Sequence, residues 1–467
     1  MNWFAVIPPL ITIVLTFWTK KLIPSLLAGV VAGAVMTQES AIAGVGAIGG
    51  YIVDAVAEKD SAYTLSFLIA FGSLAELIEM AGGIAGFSKR VEKWATTEKG
   101  VLGWGWLLSV ITFFDSSFHT IAVGTVLSPL VEKVKGSREK FAFILSVTSL
   151  QLILLIPIAT SYLGYMVTLV TNNTKDLDLG RSAYTVVAQS VIWNFFSIAM
   201  LLLAGGVTLF GLWFGKVVLG KAPAEEEELT EAHLEKEEAA NTPVEEHPRR
   251  ARNLVIPVLA LLASTIFFFW WTGREKASGF VGALTNADFN VAIFAGILVA
   301  ISVAIVYFLF QKISLAEIES HIIIGAEKVL SLVMILVLSW ALTGVTRDLG
   351  FDALISQGVI GMVPAAFIPA LTFAFAGAIS YTIGSSWATW ALVMPMAVTF
   401  AANTGIDVAI MVGTVWAGGA VTDVVSPLSA QMAGISFGRH LTTGLPYVIA
   451  GAVLAAAGYI LVGLFFL

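Results

Sequence analysis

Two short segments place polar chemistry inside long apolar sequence. One is Asp115-Ser116-Ser117-Phe118-His119-Thr120; the other is Gly384-Ser385-Ser386-Trp387-Ala388-Thr389. About forty residues beyond each stands a proline, in Pro157-Ile158-Ala159-Thr160 and in Pro427-Leu428-Ser429-Ala430. Asp423 precedes the second proline by four residues, among Thr422, Ser426 and Ser429. An anion at membrane depth is costly and needs a partner, and no basic residue is near Asp115 or Asp423 in sequence. Carbonyl oxygens freed by an interrupted helix, with hydroxyls and one carboxylate, suit a small hard cation such as sodium; freed amides suit an anion. The candidate cation ligands are Asp115, Ser116, Ser117, Thr120, Asp423, Ser426 and Ser429, with sodium expected at Asp115 and Asp423. For the individual serines, a purely structural role in satisfying freed backbone weighs equally.

His119, Thr160, Ser385, Ser386, Trp387, Thr389 and Gln431 are candidates to line a substrate cavity. For Trp387, a packing role in the cavity wall is favoured over stacking on a substrate. For His119, proton carriage and a neutral interhelical hydrogen bond are both open. Glu76 and Glu79 share one helical face, and the deeper Glu76 is a candidate proton site. Gln151 is a further candidate for substrate contact, and Asn194 is expected to join helices.

The elements that hold these residues are membrane helices. Of 467 residues, 58% are hydrophobic and 12% charged, against about 25% charged in soluble domains. Apolar runs of spanning length recur and do not alternate, so the expected fold is an all-α polytopic membrane protein. About ten transmembrane helices are expected: 2–18, 21–36, 62–84, 140–170, 184–215, 254–272, 289–311, 327–346, 405–437 and 442–465. The spans 140–170 and 405–437 are too long for one regular crossing and contain the prolines, so they read as broken helices. The segments 100–130 and 364–400 read as re-entrant hairpins with polar tips, and 41–57 and 314–325 as interfacial helices. Gly86-Phe87 matches Gly350-Phe351, and Gly164 matches Gly434, so the same elements occur twice. The expected organisation is a first repeat over 1–215, an acidic linker over 216–252 and a second repeat over 253–467. Paired interruptions of this kind point to a transporter binding site.

Basic residues orient the chain. With the central loop cytoplasmic, 19 Lys and Arg fall on that side and 6 on the other. Eight flank the first hairpin, from Lys89 to Lys140, and none flanks the second. The hairpins are therefore expected to enter from opposite faces, as two inverted-topology repeats require, with both termini outside. Ten glutamates between Glu225 and Glu246 make the linker solvated. No cysteine is present, which excludes disulfide and thiol chemistry, and no H-E-x-x-H occurs, so an enzyme is not expected. A channel would want a polar stripe along its spans rather than clusters at breaks.

Gly384-Ser385-Ser386-Trp387-Ala388-Thr389, with Pro395 beyond it, resembles the G-[ST]-S-W-x-T-x-x-x-x-x-P signature of the NhaC-type sodium/proton antiporter family. Thr422-Asp423-Val424-Val425-Ser426-Pro427-Leu428-Ser429 is similar to its G-D-x-x-S-P-x-S-D segment. Phe113-Phe114-Asp115-Ser116 and Ser137-Arg138-Glu139-Lys140 resemble its F-F-D-D and S-R-E-K segments. The resemblance implies a secondary active transporter of a prokaryotic plasma (inner) membrane. It implies alternating access, often as a homodimer, with Asp115 and Asp423 at the cation site and the serine-rich tips lining the cavity. Ser116, Thr422 and Ala430 depart from the pattern, and two of its four carboxylates are missing. Sodium/proton antiport leads; a sodium- or proton-coupled carrier of a small organic solute, an amino acid or carboxylate, stands close behind. Sodium or the proton is the coupling ion and no cofactor is expected. The partners are a small ion or small-molecule substrate and membrane lipid, with no nucleic acid.

Overall fold

The computed structural model describes residues 3–465 except 20, 84–95, 111, 114, 158–159, 176, 178, 215–249, 276–278, 286 and 351–362. Most of the acidic linker, the Gly86-Phe87 match and Phe351 lie outside the described residues. Those that are described form helices and their connections, with no strand.

A short 3-10 turn, Trp3–Val6, leads into α1 (Ile7–Thr19), followed by α2 (Leu22–Met36), α3 (Ala41–Ala57) and α4 (Lys59–Met80). Next come α5 (Glu98–Ser109), α6 (Ser116–Lys133), α7 (Arg138–Ser146), α8 (Ser161–Asn173), α9 (Ala183–Ser190) and α10 (Phe195–Phe210). After the linker the chain forms α11 (Arg252–Gly273), α12 (Phe280–Thr285), α13 (Phe289–Leu309) and α14 (Leu315–Asp348). It ends with α15 (Ile368–Ile383), α16 (Ser386–Thr404), α17 (Val408–Gly419), α18 (Pro427–Met432) and α19 (Phe437–Phe465). Among the described residues seven helices are long and apolar enough to cross a membrane, or eight if the bent pair α9–α10 counts as one span. The protein is thus a multi-pass membrane protein.

The helices sort into two packed groups, each drawing on both halves of the chain. α1–α4 pack with α11, α13 and α14. The pairs α5–α6 and α15–α16 and the interrupted helices pack with α10 and α19, while α8 and α16 touch both groups. With lipid as apolar as leucine, close approach of small residues drives such packing. At the α4–α14 crossing a Cβ on Gly72 would lie 2.4 Å from the Gly325 carbonyl oxygen.

Both broken spans are interrupted, each in its own way. α7 runs into a π turn at Val147–Gln151 and a 3-10 turn at Ile153–Leu155; α8 then starts afresh, with Thr160 capping it by accepting from Leu163 N at 3.0 Å. α17 ends at Gly419, a 3-10 turn covers Thr422–Val425, and Pro427 opens α18. Proline fits a first helical position because its missing N–H would be unpaired there.

Three element readings need correction. The expected interfacial helix 314–325 is the first part of the continuous α14, since Ser314 caps it and no breaker follows. The expected single span 184–215 bends by 45° between α9 and α10. Asn194, expected to join helices, sits at that bend, where its Oδ1 accepts from Ser197 N at 3.2 Å and caps α10.

Candidate functional site

The two polar tips are helix caps. In the first, Asp115 Oδ1 accepts from Phe118 N at 2.8 Å and starts α6. In the second, Gly384 ends α15 in the left-handed region at φ 70°, and Ser385 caps α16 by accepting from Ala388 N at 3.4 Å. The glycine tolerates that φ, and the serine satisfies an amide the new helix leaves unpaired. By cap position Asp115 corresponds to Ser385, one residue away from the register in which the sequences match.

Tyr162, in the first turn of α8, joins the two tips. Its hydroxyl hydrogen-bonds the Ser116 hydroxyl, and its ring stacks on Trp387 with centroids 4.5 Å apart and planes at 27°. Ser386, next to Trp387, donates to Asp423 Oδ2. Asp115 and Asp423 are half-buried, and Tyr162 is 3% exposed. A continuous path therefore runs from Asp115 and Ser116 through Tyr162 and Trp387 to Ser386 and Asp423. Tyr165 and Trp390 extend the aromatic shelf: the Tyr165 hydroxyl donates to the Trp387 carbonyl, and Trp390 Nε1 donates to the Trp416 carbonyl at 3.1 Å. Sequence reasoning passed over Tyr162. Its position just past the proline break, beside Thr160, was the available signal.

Several polar groups serve the breaks. Gln151, read as a candidate for substrate contact, is fully buried; it donates to Ala420 O at 2.9 Å, covering the C-terminal carbonyl of α17, and accepts from Ser197 at 2.6 Å. Ser380 donates to Gly419 O at 2.6 Å and meets Thr422 at 2.8 Å. Thr120 and Thr389 bond back to the carbonyls of Ser116 and Ser385. His119 is fully buried between Thr112, 2.7 Å from Nδ1, and Thr148, 3.1 Å from Nε2. Ser117 is exposed, whereas Ser426, which precedes α18, and Gln431 within it are half-buried. The buried hydroxyls of Ser161 and Ser429 have no hydrogen-bond partner among the described residues, which leaves oxygen donors at both breaks.

A second polar group lies between α4 and α14. Glu76 meets Lys328 at 2.5 Å and His321 at 3.0 Å. His321 is largely buried at this crossing, while Lys328 reaches Glu76 from an exposed position. His440 is also fully buried, its Nε2 3.0 Å from the Ser146 hydroxyl.

A protein of Haemophilus influenzae, itself uncharacterized, is 26% identical over 485 residues, spanning 98% of this chain and 91% of the relative. Among solved structures, the YdaH transporter of Alcanivorax borkumensis superposes with a TM-score of 0.57 at 12% identity, covering 90% of this chain and 88% of that one. MtrF of Neisseria gonorrhoeae, from a class of antimetabolite efflux pumps, gives 0.55 at 14% identity over 90% and 84%. At such identities these likenesses establish the fold alone. The model of the Na+/H+ antiporter family matches residues 152–464, more than half of the sequence and inclusive of Tyr162, Ser386, Trp387 and Asp423. The chain belongs to the Na+/H+ antiporter family and is a secondary transporter.

Proposed function

We propose that the protein exchanges sodium for protons by alternating access, with Asp115 and Asp423 as the cation-binding carboxylates. The observation that carries this reading is the Tyr162 bridge: it links Ser116 and Trp387, each next to or near a half-buried carboxylate held at a helix interruption. Ser116, Ser386 and the unpartnered Ser161 and Ser429 hydroxyls supply neutral oxygens suited to a hard cation. We place the pairs α5–α6 and α15–α16 as re-entrant hairpins of two inverted repeats, entering from the cytoplasm and from outside. The membrane is a prokaryotic plasma membrane, with the linker cytoplasmic and both termini outside; two copies pair as a homodimer.

A second reading has its own support. The Tyr162–Trp387 stack offers a flat apolar surface between the carboxylates, as an organic solute would want. Ser116 and Ala430 stand where the family pattern has carboxylates, and MtrF is described with antimetabolite efflux.

The experiment is sodium uptake into proteoliposomes holding a pH dye and no organic solute. Sodium-driven proton efflux, lost in Asp115→Asn and Asp423→Asn, supports antiport. Sodium binding without proton movement overturns it in favour of the organic carrier.

A further inference from the structure

We propose that Glu76, Glu79, His321 and Lys328 form a proton-binding site at the α4–α14 crossing, distinct from the Asp115–Asp423 centre.

The crossing is fixed by backbone contact. A Cβ on Gly325 would lie 2.4 Å from the Gly72 carbonyl oxygen, and Ser73 donates across to Ile322 O at 2.9 Å. One helical turn beyond Gly72 stands Glu76, its side chain only 8% exposed. Its Oε1 is 3.0 Å from His321 Nδ1 and its Oε2 2.5 Å from Lys328 Nζ; Glu79 Oε2 is 3.5 Å from the same ammonium. His321 and Lys328 are seven residues apart, so two turns of α14 put both on one face.

Charge counting gives the function. Two carboxylates against one ammonium leave one uncompensated negative charge at a place where such charge is costly. The surroundings offer little to balance it. α8 and α13, packed on α4, carry no Asp, Glu, Lys, Arg or His, only Tyr162, Tyr165 and Tyr307. α11 brings Arg252, its first residue, and α4 has Lys59, Asp60 and Tyr63 at its other end. Against α14, α1, α2 and α16 bring no charge, and α3 brings Asp54 and Tyr51. α14 itself adds Glu317, Glu319 and Glu327, then Arg347 and Asp348 at its end. One more positive charge neutralises the cluster. The His321 ring, in contact with Glu76, is the neutral basic group of the cluster that can take that proton.

The test uses the full chain in lipid nanodiscs. The 15N imidazole signal of His321, identified by its loss in His321→Gln, is followed from about pH 5 to pH 9 without sodium. It is expected to move with pH, over a displaced range in Glu76→Gln and in the half-exposed Glu79→Gln, the latter serving if Glu76→Gln fails to fold. A signal that stays still, or one that ignores both substitutions, overturns the site.

Discussion

At the scale of single residues, charge and helix capping coincide in Asp115, and substitution separates them. Asn caps about as well as Asp, while Ala loses about 1 kcal/mol. Asp115→Asn should therefore melt with wild type in detergent yet show no sodium-dependent uptake; Asp115→Ala should lose both uptake and stability. Uptake retained in Asp115→Asn would remove the carboxylate from the cation site. Tyr162→Phe keeps the stack on Trp387 but removes the hydroxyl partner of Ser116. Losing one such hydrogen bond, worth about 1 kcal/mol to the fold, should lower the melting point slightly, and transport should slow with it. Asp115, Ser386 and Asp423 were legible in sequence because a polar residue inside an apolar run stands out. Tyr162 was not, because a tyrosine in a membrane helix reads as packing or interface. Lys328 and His321 were hidden for another reason. His321 falls in the expected interfacial helix 314–325 and Lys328 at the edge of the span 327–346, so neither is set against Glu76 far away in sequence.

At the scale of elements, the fold depends on close approaches that hydropathy does not report. Gly72 and Gly325 are ordinary letters in apolar sequence, yet their backbones are in contact and hold α4 against α14. Gly325→Leu forces the helices apart and should destabilise the protein by at least about 1–3 kcal/mol, read as a lower melting temperature. It should also disturb Glu76, one turn away. Gly103, where an added Cβ would meet nothing within 4 Å, is the matched control, and Gly103→Ala should be silent. The interruptions near Pro157 and Pro427 were readable because proline cannot continue a helix. The bend at Asn194 was not, because its cause is a cap formed by one side chain within an uninterrupted apolar run. Likewise α14 was divided in two by a change of surface character, though nothing in its backbone chemistry stops the helix.

At the scale of the whole molecule, both helix groups mix elements from the two halves, and the basic residues give the arrangement a direction. α6 ends at Lys133, in a stretch dense with Lys and Arg; α16 ends at Thr404, in a stretch with none before Arg439. If the linker is cytoplasmic and dispensable for exchange, deleting 224–246 should leave transport within about twofold, as expected for a solvated charge run. A lost pH response on deletion would make the linker regulatory. The sense of the two halves is tested more sharply by labelling. The native chain has no cysteine, so a single introduced thiol reports without background. Lys133 and Ala402 occupy exposed positions near the ends of α6 and α16, so Lys133→Cys and Ala402→Cys report on each. An impermeant maleimide added outside intact cells should label Ala402→Cys and spare Lys133→Cys; on inside-out vesicles the pattern should reverse. Labelling of both from one side would put both hairpins on the same face. That outcome would exclude inverted repeats and, with them, the symmetry by which one carboxylate centre could open alternately to each side.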